Sequence, residues 1–141
     1  MFLNELSDPQ KKMFMALAKR MVLADWRLEE HEKAAIERVE AELGQSLAVD
    51  PKDLMTNDNL SVLDTPRAKR IVLYELLVLA QADLKIDASE RHVFDDLADE
   101  LKISQDHMDQ LEVLSADGYS LMLVNAADDA HRASVNEILD A

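Results

Sequence analysis

Apolar positions along the chain recur at helical spacing, and polar clusters cut that recurrence into segments. Ser7-Asp8-Pro9-Gln10 reads as a helix start, with Ser7 or Asp8 as N-cap and Pro9 in the first turn. The helix it opens is expected to run to about residue 24, with Phe14, Leu17, Ala18 and Met21 on one face. Asp25-Trp26-Arg27-Leu28 interrupts it. A second helix is expected over 29–43, striped by Ala35, Ile36, Val39 and Leu43 and closed by Gly44 as C-cap. Asp50-Pro51 opens a short third helix, and the polar run 56–64 reads as a linker.

Thr65-Pro66 caps a fourth helix, expected over 65–82. Ile71, Val72, Leu73, Leu76, Leu77, Val78 and Leu79 make it apolar on nearly every side, which marks a central, buried helix. Leu73, Leu76, Leu77 and Ala80 are therefore expected in the core. Tyr74 and Glu75 are its polar exceptions, and Glu75 is expected to reach solvent or a partner at the edge. Asp87 and Glu90 open a fifth helix to about Leu101, with Phe94, Leu97, Ala98 and Leu101 facing inward. Ser104 caps a sixth, which Asp117-Gly118 is expected to bend or end. A last helical segment carries 121–124, and the tail ends near Ile138 and Leu139. No period-two alternation long enough for a strand occurs, so the fold class is all-α, with about seven helices.

The pattern repeats internally. ADWRLEEHEKAAIERVEAEL from Ala24 aligns without a gap on ADLKIDASERHVFDDLADEL from Ala82, at a constant offset of 58 (83 − 25). Identities fall at Ala24/Ala82, Asp25/Asp83, Glu32/Glu90, Glu42/Glu100 and Leu43/Leu101. Each copy follows an apolar helix and precedes an amphipathic one. This predicts two helix–loop–helix halves, about 8–55 and 65–115, related by a pseudo-two-fold axis within one domain spanning 1–141. Asp25 should then superpose on Asp83 and Glu32 on Glu90.

Composition narrows the function. At 141 residues the chain can bury a full core without staples, and with no cysteine it has no disulfide, thiol catalysis or cysteine–zinc site. The opening MFLNELSDPQKK lacks the basic start and apolar run of a secretory leader. The stretch 71–80 is half a membrane span and holds Glu75, so a cytoplasmic location is expected. A net charge of −14 disfavours nucleic acid and anionic lipid and favours cations or basic partners.

The repeated pattern Ala-Asp-x-basic-aliphatic-acid-x-x-Glu resembles the TerB-like family, the tellurite-resistance protein B group. LNELSDPQKKMFMALAKRMVLAD is similar to that family's first helix, and LVLAQADLKIDASERHVFDDLADELKIS to its second-half signature. The resemblance covers most of the chain. It implies an all-helical fold with duplicated halves and a role in bacterial tellurite and other chemical stress. It also implies a protein partner in a membrane-associated stress complex, hence attachment to the inner membrane through that partner, and no catalytic activity. A homodimer is compatible with it. The chain departs from the family where Trp26 and Leu84 stand in place of Gly after the Asp.

The repeat acids have two explanations. Asp87 as N-cap with Glu90 three residues on is a capping box, and Glu29 and Glu32 occupy the same places. Asp25 and Asp83 each follow the C-terminal end of a helix, where a negative charge opposes the macrodipole by roughly 0.3–1 kcal/mol, so something must offset it. Backbone N–H groups of the next helix can do so. So can a divalent cation held among Asp25, Glu29, Glu32, Asp83, Asp87 and Glu90, an all-oxygen set suited to Ca²⁺, Mg²⁺ or Mn²⁺. An EF-hand is excluded: counting from Asp83, its positions 3, 6 and 12 are Lys85, Ala88 and Phe94, and from Asp25 they are Arg27, Glu30 and Ile36. His31-Glu32 lacks the second histidine of a zinc-protease helix, and His92 with Asp96 reads as an exposed i, i+4 pair. Glycine only at 44 and 118 rules out a phosphate loop. The chain is thus expected to be non-enzymatic. Trp26, the one tryptophan, is either a core anchor or a partner contact. Two readings follow: a cation-binding stress module, or a metal-independent acidic adaptor.

Overall fold

The structure, a computed structural model, describes residues 2–23, 37, 41, 60–81, 88–124 and 128–141. Among these the elements are all helical. A 3-10 turn (Leu3–Glu5) precedes α1 (Asp8–Leu23), and a second 3-10 turn (Leu60–Val62) precedes α2 (Pro66–Ala80). Then follow α3 (Ala88–Glu100), α4 (Gln105–Leu123) and α5 (Asp129–Leu139). Five α-helices are described; the helices expected over 29–43 and after Asp50 lie outside the described residues, apart from Glu37 and Ala41, which are helical and exposed.

The starts follow the capping rules. Ser7 and Gln10 form a reciprocal box: Gln10 N–H donates to Ser7 Oγ at 3.4 Å and Ser7 N–H to Gln10 Oε1 at 2.9 Å. Thr65 Oγ1 accepts from Ala68 N–H at 3.1 Å, with Pro66 in the first turn. Ser104 Oγ and Asp128 Oδ1 do the same for His107 and His131. α3 closes in a Schellman turn, in which Ile103 N–H reaches Ala98 O, Lys102 N–H reaches Asp99 O, and Lys102 takes φ 57°.

α2 is the hub. It packs on α1, α3, α4, α5 and the first 3-10 turn, and residues 71–80 are all buried. Leu73, Leu76, Leu77 and Ala80 are in the core, as the all-round apolar pattern requires. Each 3-10 turn packs on the long helix that follows the other turn: the first on α2, the second on α1. Gln10 of α1 donates to Val62 O at 3.1 Å and Asp64 Oδ1 at 3.2 Å, while Arg67 of α2 donates to Glu5 Oε1 at 3.1 and 3.2 Å. The two helices therefore start beside each other.

Three expectations are corrected. Residues 60–64 do not belong to a polar linker, because Leu60 and Leu63 are buried against the core. Asp117-Gly118 neither ends nor bends a helix into two elements. α4 continues to Leu123, so 121–123 is its end, with Val124 just after it, and not a separate segment. The tail is a helix of its own, α5, which buries His131, Val135 and Leu139.

Candidate functional site

Asp25, Trp26, Glu29, Glu32, Asp83 and Asp87 lie outside the described residues. Glu90 falls in the first turn of α3, but its side chain is likewise outside them. Among the described residues, no group of three or more His, Asp or Glu is arranged to hold a metal ion. The structure does define the helices that lead into the two acidic segments and the residues on either side of 82–87.

The helices that lead into the two acidic segments run in register at the repeat offset. Their N-caps, Ser7 and Thr65, are 58 apart (65 − 7), and so are their first described helical residues, Asp8 and Pro66. The buried run 13–18 of α1 maps onto the buried run 71–76 of α2, and Met21 onto Leu79. Further on, exposed helical Glu37 and Ala41 map onto exposed helical Asp95 and Asp99. Upstream, at an offset of 57 (60 − 3), Leu3-x-x-Leu6 and Leu60-x-x-Leu63 each bury both leucines, the first of each pair in a 3-10 turn and the second just after it.

Both chain ends of 82–87 are tied to one turn of α4. On one side, Gln81 Nε2 donates to Ser115 Oγ at 3.0 Å, and the fully buried Ser115 hydroxyl donates to the Glu112 carbonyl at 2.6 Å. On the other, Arg91 grips both Glu112 carboxylate oxygens, at 2.8 and 2.5 Å. A bidentate guanidinium–carboxylate pair fixes direction as well as distance.

A second polar cluster lies inside the fold, where α2, α4, α5 and the N-terminal segment meet. Glu75 is 5% exposed and accepts the Phe2 N–H at 2.8 Å, so its partner is internal and not at a solvent edge. Tyr74, fully buried, shares a hydrogen bond of 2.8 Å with His131 Nε2. Phe2 meets Tyr74 edge to face, and Arg132 stacks over the Phe2 ring with its guanidinium carbon 4.4 Å from the centroid. Around it, Arg67 joins Glu5, Asn136 and Asp140, and Arg70 gathers the carbonyls of Ile138, Leu139 and Ala141 at the end of α5. These outer pairs are half-exposed and contribute about 0–1 kcal/mol each. The cluster fastens both described ends of the chain onto α2. It was not anticipated from the sequence, although two signals pointed toward it: Asp128-x-x-His131 is a helix start, and Gly118 is an isolated glycine inside a helical pattern.

Burial, and after it the negative charges of Glu75 and Asp117, push the Tyr74 phenol well above the usual tyrosine range. The folded state therefore favours the neutral phenol. Unfolded tyrosine ionises at pH ~10, so the stability tied to Tyr74 is fully present below that pH and is lost as the pH rises beyond it. Tyr74→Phe is expected to cost about 1–3 kcal/mol at neutral pH, because His131 loses its buried partner. It should also flatten the alkaline limb of stability against pH. Urea melts of both proteins between pH 7 and 11 check this; parallel alkaline limbs would contradict it.

The outer surface of the second half is acidic. Residues 88–124 hold nine Asp or Glu against Arg91 and Lys102 alone, and Arg91 is engaged by Glu112. His92 and Asp96 form the anticipated exposed pair, 3.3 Å apart. No helix among the described residues is long and apolar enough to cross a membrane. No family model, curated protein or solved structure matches the chain.

Proposed function

We propose that the chain is a non-catalytic, TerB-like helical module of the bacterial tellurite and chemical-stress response. In this reading its paired acidic segments hold one divalent cation, Ca²⁺, Mg²⁺ or Mn²⁺. The seven-helix, two-half arrangement and the pseudo-two-fold relation of Asp25 to Asp83 belong to the same reading, as do a cytoplasmic location and a partner at the inner membrane. The observation that carries it is the common register of α1 and α2, which lead into the two segments from equivalent caps with equivalent buried faces. Hard oxygen donors repeated at one offset, each behind a matched helix, are what a shared cation needs.

Thermal melts with chelator and with each ion test it. Bound cation stabilises by RT ln(1 + [L]/Kd), about 1.4 kcal/mol at a tenfold excess over Kd. Asp25→Asn and Asp83→Asn should each remove most of that gain, because hard cations prefer carboxylate to amide. In chelator the same variants should be neutral or slightly stabilising, because a like charge has been removed. A wild-type melt that no ion moves would eliminate the cation.

The acidic outer surface of α3 and α4 favours a second reading, a metal-independent adaptor for a basic protein partner. Trp26 is the sequence's other candidate contact for it.

A further inference from the structure

α4 has two unlike faces. Met108, Leu111, Ser115 and Gly118 point into the core. The opposite side carries Val113 and leads to Val124, the residue after its last turn. These are the two large hydrophobic residues that stand out in solvent among the described residues, at 73% and 71% exposure. They are eleven residues apart, about three helical turns, so they lie within roughly 20° of one another around the axis and ~16 Å apart along it. Exposed Ala116 and Ser120 fall between them, so the four follow at spacings of three, four and four, the rhythm of a helix-packing seam. Exposed Asp106, Asp109 and Asp117 accompany the seam, and α4 holds no Lys or Arg. Small residues at the middle let another backbone come close, while the valines offer apolar area at each end.

Charge decides the occupant. A second copy meeting this face across a two-fold axis would set the Asp106, Asp109 and Asp117 face of one copy against the same acidic face of the other, with no Lys or Arg on either helix to offset it, in a chain of net charge −14. A cationic helix meets complementary charge instead. We propose that the outer face of α4 docks a basic amphipathic helix of a protein partner, with Val113 and Val124 as its apolar contacts and Asp106, Asp109 and Asp117 facing Lys or Arg. This rests on the adaptor reading and names its surface.

The probe is a fluorescein-labelled 18-residue peptide with Leu along one helical face and Lys on the other, titrated with the full chain at physiological salt. A scrambled peptide of the same composition is the control. The informative variant is Val113→Glu, which adds a negative charge while removing apolar area. Attraction by charge alone would tighten, whereas seated packing should weaken about tenfold. Val113→Glu should leave the thermal melt unchanged, because the side chain is exposed. The expected result is weaker binding by Val113→Glu and by Val124→Glu, and at least tenfold weaker binding of the scrambled peptide. Equal affinity for both peptides, or affinity kept or raised in Val113→Glu, would overturn the proposal. So would sedimentation showing a wild-type dimer that Val113→Glu dissolves, since the face would then belong to a second copy. Binding that survives Val113→Glu and is lost in Trp26→Ala would overturn it too, while leaving the adaptor reading standing.

Discussion

Leu77→Ala is expected to lower the stability of the protein by about 2–5 kcal/mol, the range for truncating a fully buried leucine. Leu77 is 0% exposed on α2, which packs against all four other helices described. Removing its branch loses the transfer free energy of the lost methyl groups. It also leaves a cavity between helices held on several sides, so the neighbours cannot collapse into it from any one direction. The surface counterpart Val113→Ala, at 73% exposure, should change stability by less than about 0.5 kcal/mol. Urea denaturation of the two variants side by side measures both, with an unchanged m-value indicating that the loss is in the native state. A loss under 1 kcal/mol for Leu77→Ala would mean that α2 is not the centre of the core.

This position could be read from the sequence because it rests on local pattern. Thr65-Pro66 fixes where α2 starts, and the unbroken apolar run fixes that it is surrounded; both follow from residues adjacent in the chain. The caps of α1 and α4, the inward Phe94, Leu97 and Ala98 of α3, and Leu101 just past its end were legible for the same reason. The polar interior was not. Glu75 meets Phe2 across 73 residues and Tyr74 meets His131 across 57, and no periodicity encodes which distant donor will arrive at a given carboxylate or phenol. The end of the chain was misjudged because Asp117-Gly118 is a strong local turn signal, which tertiary packing overrides.

Gly118 stands in a helix interior because Tyr74 leaves no room for a Cβ there. In an open helix Gly→Ala stabilises by about 1 kcal/mol. At 118 a Cβ would overlap the Tyr74 hydroxyl, and would sit 3.2 Å from both Tyr74 Cζ and Val78 Cγ2. The phenol is fixed there by its bond to His131 and by complete burial, so it has no room to withdraw. Overpacking of this kind costs about 1–3 kcal/mol or more, and Gly118→Ala is expected near the upper end, about 2–3 kcal/mol net. The decisive comparison is with Tyr74→Phe. Without the hydroxyl the worst overlap disappears, and the two contacts at 3.2 Å need only a small relaxation. Gly118→Ala in the Tyr74→Phe background should therefore be close to neutral, because the helix propensity of alanine offsets the residual crowding. The coupling between the two substitutions should then reach about 2 kcal/mol. Four melts complete the cycle: wild type, each single variant and the double. If Gly118→Ala costs the same in both backgrounds, the glycine is not there to admit the phenol, and the Tyr74–His131 bond does not set the approach of α4 to α2.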